Sequence, residues 1–161
     1  MSLKPLNILL IGYGNPGRLD DGLGPAVADA IEKKVLPGVT VDSNYQLSVE
    51  DADAIAKNDV VLFVDADTSG PEPFWIERVD PEKEISFSSH SISPNALMDM
   101  SANMFGGHAK GYIVGIRGYE FNEFGERLSL QAVHNMNETI AFLEIALKEN
   151  DFERYAQKYK K

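Results

Sequence analysis

Three aspartates and one histidine are of residue types that bind metals, and all four lie on connections between predicted strands and helices. Asp20 and Asp21 follow a glycine-rich turn. Asp65 follows a strongly apolar run, and His90 comes shortly before a predicted helix. Together, Asp21, Asp65 and His90 would suit Ni, Zn, Mn or Fe and would leave coordination positions open. An open metal site permits either catalysis or the capture of a metal-bearing partner.

The same turn offers a second candidate chemistry. Gly12-x-Gly14-x-x-Gly17 matches the dinucleotide-binding fingerprint between a predicted strand and a helix, and Asp42 stands where an acid would bind the ribose. Two adjacent carboxylates at the helix start oppose this interpretation, because a pyrophosphate needs a free, positive helix end. A nucleotide-binding α/β module remains an alternative, and it predicts that NAD or ATP raises the melting temperature.

Each candidate also has an interpretation without function. A carboxylate at a helix start is commonly an N-cap, which accounts for one of the two adjacent acids. Asp20 is the better candidate for a cap, or for a group that supports Asp21. Taken alone, Asp65 could be a turn-forming residue at a strand end, and His90 could be an ordinary loop histidine. Only their joint placement favours a site.

The apolar pattern predicts the elements that would position these residues. Continuous apolar runs and β-prone segments predict strands at 6–12, 39–42, 60–64, 74–79 and 112–116. Amphipathic spacing and capping residues predict helices at 23–34, 49–56, 94–104 and 130–147, with Val49 on the packed face of the second and Ser93 as the cap of the third. Phe121 and Phe124 are candidate anchors of the long loop at 117–127. This order predicts a single domain over 1–161, a three-layer α/β/α domain on a mostly parallel, mixed sheet of about five strands. Residues 151–161 are expected to form a charged tail or a marginal helix.

The predicted topology brings the candidate ligands to one edge of the sheet. The carboxyl ends of parallel strands lie at the same edge, where open α/β sheets bind ligands. Asp21 follows the first predicted strand, Asp65 follows the third, and His90 lies on a connection before a helix. His108, in a glycine link, and His134, on the polar side of a helix, are expected to face solvent and to have no role.

The composition excludes several classes of function. A formal charge of −10 opposes binding to nucleic acid or anionic membranes through a general basic field. The absence of cysteine excludes disulfides, thiolate catalysis and cysteine-based zinc sites. The sequence has no G-x-S-x-G elbow, H-E-x-x-H helix or Gly-Lys-Ser/Thr loop. Without a bilayer-spanning run or a signal pattern, a cytoplasmic protein is expected, and no apolar stripe suggests more than a monomer.

Five short segments in order along the chain carry a family resemblance. They are GYGNP at 12–16, DDGLG at 20–24, QL at 46–47, FVDA at 63–66 and HSISP at 90–94. In these segments the chain resembles the hydrogenase maturation proteases, the endopeptidases that trim the C-terminus of the large subunit of nickel-iron hydrogenases. The likeness runs from about residue 6 to residue 147, and the Gly-Asn and Asp-Asp-Gly parts are its most specific portion.

This resemblance implies a site and an activity. Asp21, Asp65 and His90 match the residues that contact the metal in the family. There the nickel is supplied by the substrate, so no tightly held metal and no organic cofactor are expected. The implied activity is that of a metal-dependent endopeptidase of aspartic or metallo type, which removes a short C-terminal peptide from the nickel-loaded precursor after a basic residue. The implied partner is the hydrogenase large-subunit precursor, with no nucleic acid and no membrane.

The resemblance leaves the chemical step open between two routes. Coordination of the nickel would fix the scissile bond, and either a metal-polarised carbonyl or a metal-activated water would carry out the hydrolysis. A further alternative is a non-catalytic nickel-checking protein, which would bind the nickel-loaded precursor without cutting it.

Overall fold

A five-stranded sheet lies at the centre of the computed structural model, which describes residues 5–81 and 92–161. The strands are β1 (Ile8–Tyr13), β2 (Val39–Asn44), β3 (Val60–Asp67), β4 (Phe74–Arg78) and β5 (Lys110–Arg117). The helices are α1 (Leu23–Lys33), α2 (Asp51–Ala56), α3 (Pro94–Phe105), α4 (Leu130–Glu149) and α5 (Phe152–Lys158), and a 3-10 turn (Leu19–Gly22) precedes α1. The strand order is β2-β1-β3-β5-β4, and only β4 among them pairs antiparallel. The predicted mixed, mostly parallel α/β architecture is confirmed.

Side-chain alternation along the strands divides the core into two layers. In β1, Ile8 and Leu10 pack on the face that α1, α4 and α5 cover, whereas Leu9 and Ile11 pack on the face that α2 and α3 cover. The even and odd positions of β3 divide between the two faces in the same way. Odd-numbered side chains at the carboxyl ends of both strands therefore belong to the α2–α3 side.

The edge strand β4 is covered by the C-terminal helix. Phe152 and Tyr155 are buried and anchor α5. Of the two expectations for residues 151–161, a charged tail or a marginal helix, the structure shows a helix, and it is packed against the core. Beyond it, the Tyr159 carbonyl accepts a hydrogen bond of 2.8 Å from the Ile76 N–H of β4. The centroid of the Phe74 ring lies 4.7 Å from that of the Phe142 ring, so β4 also packs against α4.

Two local expectations were wrong, and the packed face of one helix was predicted incompletely. Val49 was placed on the buried face of the second helix, but it precedes α2 and is 55% exposed. Phe124 was a candidate loop anchor, yet it is 86% exposed. The fully buried face of α4 includes Asn135 and Thr139, which the apolar spacing could not include; the Asn135 amide is satisfied because it donates to the Arg117 carbonyl at 3.0 Å. No helix in the described parts of the chain is both long and apolar enough to cross a membrane.

Candidate active site

Asp21 and Asp65 line one cleft at the carboxyl ends of β1 and β3. The cleft has a volume of about 290 Å³, and segments 45–47 and 92–94 form its other walls with Tyr13 and Gly14. The structure thus brings together two of the three ligands that the sequence predicted. The third, His90, lies outside the described residues, but the residues from Ile92 onward line the cleft.

Asp65 reaches the cleft because of its place near the end of β3. It lies one residue beyond the Gly12–Val64 pair of the parallel strands, so that Tyr13 of β1 is its neighbour on the same face of the sheet. The Ala66 N–H donates a hydrogen bond of 2.8 Å to Asp65 Oδ1. The Tyr13 hydroxyl is a second donor that acts on the same carboxyl group and lowers its pKa.

The surroundings of Asp65 disfavour its charged form. Burial is the largest cause and raises the pKa of Asp65 to about 7, although the Ala66 N–H opposes it. The negative charges of Asp21 and Asp67 raise the pKa further, and the Tyr13 hydroxyl lowers it. Burial, followed by the Asp65 charge, raises the pKa of Tyr13 far above its usual range, so Tyr13 stays a protonated donor. Two neighbouring carboxylates without a cation repel each other, which a bound cation would relieve.

Asp21 is held at the cleft by the glycine-rich turn. Its Oδ2 accepts a hydrogen bond of 2.8 Å from the Asn15 N–H, and the side chain is only partly buried. Gly14 has a φ of 141°, and a Cβ there would lie 2.1 Å from the Asp21 carbonyl oxygen. Only glycine permits this approach, so the turn is shaped to bring Asp21 against the end of β1.

Three solved structures show which fold surrounds this cleft. A nickel-iron hydrogenase maturation protease HycI from Thermococcus kodakarensis KOD1 matches at a TM-score of 0.71 and 23% identity, over 89% of this chain and 93% of the other. The hydrogenase maturating endopeptidase HybD from E. coli matches at 0.72 and 19%, over 91% and 94%. The endopeptidase HycI from Escherichia coli matches at 0.65 and 21%, over 88% and 91%.

The fold is that of the hydrogenase maturation proteases. No protein-family model matches the chain. No curated protein matches it either. At these identities the solved structures establish the shared architecture, and the chemistry of this chain has to be argued from its own residues.

The backbone of the glycine-rich turn leaves little for a phosphate to bind in this maturation-protease fold. Its N–H groups donate within the protein: Gly14 to the Asn44 carbonyl at 3.1 Å, Asn15 to Asp21 Oδ2 at 2.8 Å, Gly17 to Asn15 Oδ1 at 2.8 Å and Arg18 to the Asn15 carbonyl at 3.0 Å. A Cβ at Gly12 would lie 2.3 Å from the Gly24 carbonyl oxygen. The lack of a side chain at this glycine therefore allows α1 to pack closely on β1. The backbone N–H groups that a phosphate would need in the nucleotide-binding alternative are already hydrogen-bonded within the protein.

Asp20 supports the turn that carries Asp21, which is the second of its two expected roles, through contacts that the sequence did not indicate. Its side chain is fully buried, and its two oxygens accept hydrogen bonds from Tyr119 N (2.8 Å), Glu120 N (3.0 Å), Ser129 N (2.8 Å) and Ser129 Oγ (2.8 Å). The expectation of a helix cap was wrong, because neither the 3-10 turn nor α1 has a side-chain cap. Asp20 instead ties the turn that carries Asp21 to the loop between β5 and α4.

Hydrogen bonding also sets the ionisation of Asp20. Burial by itself raises the pKa of this carboxyl, but the donors of Ser129, Glu120 and Tyr119 together outweigh it, so the pKa lies below its usual range. Backbone bonds reinforce the junction, since Leu19 N donates to the Gly125 carbonyl at 2.9 Å and Gly125 N to the Gly17 carbonyl at 2.8 Å. The carboxylate is therefore ionised and structural at neutral pH.

The remaining histidines lie away from the cleft. His108 and His134 are both exposed, as the sequence indicated. Within residues 5–81 and 92–161, no three histidine, cysteine, aspartate or glutamate side chains are close enough together to hold a metal ion. The ligand set of Asp21, Asp65 and His90 stays a prediction. Tyr13 was missed, although the alternation of β1 would have placed it beside an acid on β3.

Proposed function

We propose that this chain is an endopeptidase that removes a short C-terminal peptide from the nickel-loaded precursor of a nickel-iron hydrogenase large subunit. The observation that carries the proposal is the meeting of Asp21 and Asp65 in one cleft at the carboxyl edge of the sheet. The fold also supports the proposal, because the matching solved structures are those of a hydrogenase maturation protease and a hydrogenase maturating endopeptidase.

The nickel ion enters the proposed reaction as part of the substrate. Asp21 and Asp65 offer oxygen ligands, and His90 is proposed as the imidazole ligand. A carboxyl group with a raised pKa binds a cation in exchange for its proton, so the cleft would take up nickel more readily as the pH rises. The absence of cysteine leaves these oxygen and nitrogen ligands as the strongest metal-binding groups.

Coordination would make hydrolysis specific to the loaded precursor. A peptide bond near the nickel would be held in the cleft only when nickel is present, which turns a bimolecular encounter into a positioned reaction. The metal would either polarise the scissile carbonyl or lower the pKa of a water molecule that attacks it. Asp21 and Asp65 position the ion in both routes.

The test is cleavage of the precursor, followed by mass. Nickel-loaded precursor is expected to lose its C-terminal peptide, and nickel-free precursor is expected to remain intact. Asp21→Asn, Asp65→Asn and His90→Ala are each expected to lower the rate by about 10²-fold or more, since each removes a proposed ligand. His134→Ala, at an exposed histidine on α4, is the matched control and should leave the rate unchanged.

Several outcomes would contradict the proposal. Equal cleavage of the nickel-loaded and nickel-free precursors would remove the nickel requirement. Unchanged rates in the ligand variants would remove the cleft from the mechanism. Binding of the nickel-loaded precursor without any loss of mass would instead support the non-catalytic nickel-checking protein.

A further inference from the structure

Half of the large apolar side chains that are exposed in the described residues line the cleft or one groove between α2 and α3. The large apolar side chains that are exposed in the described residues are Val35, Tyr45, Val49, Met104, Phe105, Phe124, Leu130 and Ile145. Tyr45 lines the cleft itself. Val49, Met104 and Phe105 line one groove of about 470 Å³, together with Glu50, Asp53 and Met100. We call these six residues the α2–α3 groove. Isolated exposed apolar residues need no explanation, whereas a cluster of them marks an interaction surface.

Two chain segments lead from the cleft to the α2–α3 groove. Leu47 lines the cleft, and Val49, two residues further on, lines the groove. Pro94 at the start of α3 lines the cleft, and Met100 lies six residues along the same helix, a rise of about 9 Å. Met104 follows Met100 by one turn on the same face. A protein with a segment in the cleft would therefore also meet the groove.

The cleft is too small to recognise a protein by itself. Its volume of about 290 Å³ is at the lower limit of small-molecule sites, which span about 300–1,000 Å³. Specific protein–protein complexes bury about 1,200–2,000 Å² of surface. A peptidase that acts on one folded protein therefore needs contacts outside the cleft.

We propose that the α2–α3 groove binds the folded body of the precursor protein whose C-terminal segment occupies the cleft. This inference rests on the proposed function. The matching surface of the precursor is an apolar element flanked by basic side chains, since Glu50 accompanies the apolar residues and the chain carries a formal charge of −10. Asp53 forms an ion pair of 3.2 Å with Lys57 and adds less to this charge. Methionine and phenylalanine are enriched in interface cores, and methionine adapts its shape to a partner.

The test compares charge insertion in the groove with charge insertion elsewhere. Met104→Glu and Val49→Glu place a carboxylate at residues that are 66% and 55% exposed. Ile145→Glu, at a residue that is 58% exposed on α4 and across the sheet, is the matched control. Both groove variants are expected to raise KM for nickel-loaded precursor at least about tenfold with little change in kcat, because groove contacts lie outside the cleft. The control should stay within about twofold of the wild-type value.

The outcomes separate this inference from the proposed function. If the wild type cleaves and the groove variants keep its KM, the groove is not the docking surface, although the proposed function stands. If the wild type neither cleaves nor binds the loaded precursor, both fail. A wild-type dimer that Met104→Glu converts to a monomer in a sizing experiment would show that a second copy occupies the groove, which overturns the inference. Equal melting temperatures of the variants exclude unfolding as the cause.

Discussion

Asp20 and Asp65 are carboxylates with opposite surroundings, although both serve the same edge of the sheet. Asp20 accepts four hydrogen bonds, which is about the number of lone-pair positions that a carboxylate offers. Among residues 5–81 and 92–161, the donors that act on Asp65 are the Ala66 N–H and the Tyr13 hydroxyl. The pKa of Asp20 lies below its usual range and that of Asp65 is raised to about 7, with burial the largest single influence on each.

This difference separates a structural acid from one that can take a ligand. The oxygens of Asp20 are fully used by the protein, so the group stabilises the fold and has nothing to offer a cation. Asp65 has fewer donors than Asp20 within the described residues, and it lines a cleft together with Asp21. A buried acid that the protein satisfies poorly is a candidate functional group, because the missing partner can be a ligand.

The largest expected effect is that of Asp20→Ala on stability. The substitution leaves three N–H groups and one hydroxyl without their acceptor, so the free energy of unfolding should fall by about 3 kcal/mol or more. Urea denaturation measures it. Asp20→Asn, which keeps an acceptor oxygen, should lose less. A loss below about 1 kcal/mol would show that the network does not stabilise the fold.

Asp65→Asn should have the opposite sign. In the wild type, the folded protein holds a proton on Asp65 between about pH 4, the pKa of an unfolded aspartate, and about pH 7, so its contribution to stability falls as the pH rises through that window. The asparagine variant lacks this loss, and at pH 8 it should be more stable than the wild type by about 1–3 kcal/mol. Urea denaturation at pH 4 and pH 8 measures the difference, which should nearly vanish at pH 4. A variant that is less stable at pH 8 would contradict the raised pKa.

A smaller effect is expected from Ser129→Ala. Ser129 Oγ donates to Asp20 and accepts from the Ala132 N–H as the N-cap of α4, and the loss should be about 1–2 kcal/mol. Ser93→Ala is the matched control, because Ser93 caps α3 through the Ala96 N–H at the same distance of 3.2 Å without a bond to Asp20. Thermal unfolding measures the loss of stability in both variants, and the difference between the two losses is the contribution of the hydrogen bond from Ser129 Oγ to Asp20. Equal losses would show that this bond contributes nothing.

The smallest effect on stability is expected from Tyr13→Phe, at about 0.5–1 kcal/mol. The hydroxyl of Tyr13 lowers the pKa of Asp65, so its removal should move the ionisation of Asp65, and with it the pH profile of kcat/KM for precursor cleavage, to higher pH. A profile that stays in place would show that the hydrogen bond does not act on Asp65. The Tyr13→Phe variant also extends the comparison between Asp65 and Asp20, because it removes one of the donors that act on Asp65.

The architecture was predictable because it depends on local patterns. Continuous apolar runs before Gly12 and Asp65 indicated strands covered on both faces, and a parallel sheet brings their carboxyl ends to one edge. That argument is enough to place Asp21 beside Asp65 in the cleft. The start of α3 at Ser93-Pro94 was equally local, and the cap at Ser93 is confirmed.

Interactions between distant segments were not predictable. The acceptor role of Asp20 depends on donors 99 to 109 residues away, and no spacing in the sequence indicates such partners. Asn135 is buried and donates to the Arg117 carbonyl, so an apolar pattern alone omits the polar members of the packed face of α4. Val49 shows the reverse error, since an apolar residue next to a helix need not be covered. His90 lies outside the described residues, and its role stays a prediction.

The tie between Asp20 and Ser129 also bears on the order in which the chain folds. The two residues are separated by 109 positions, so this contact closes only after the entropy of a long loop has been lost. During synthesis, β1, β2 and β3 emerge well before Tyr119 and Ser129, and the turn with Asp21 then lacks its anchor. A nascent chain would thus acquire the anchored turn at its cleft only when most of its length had been made.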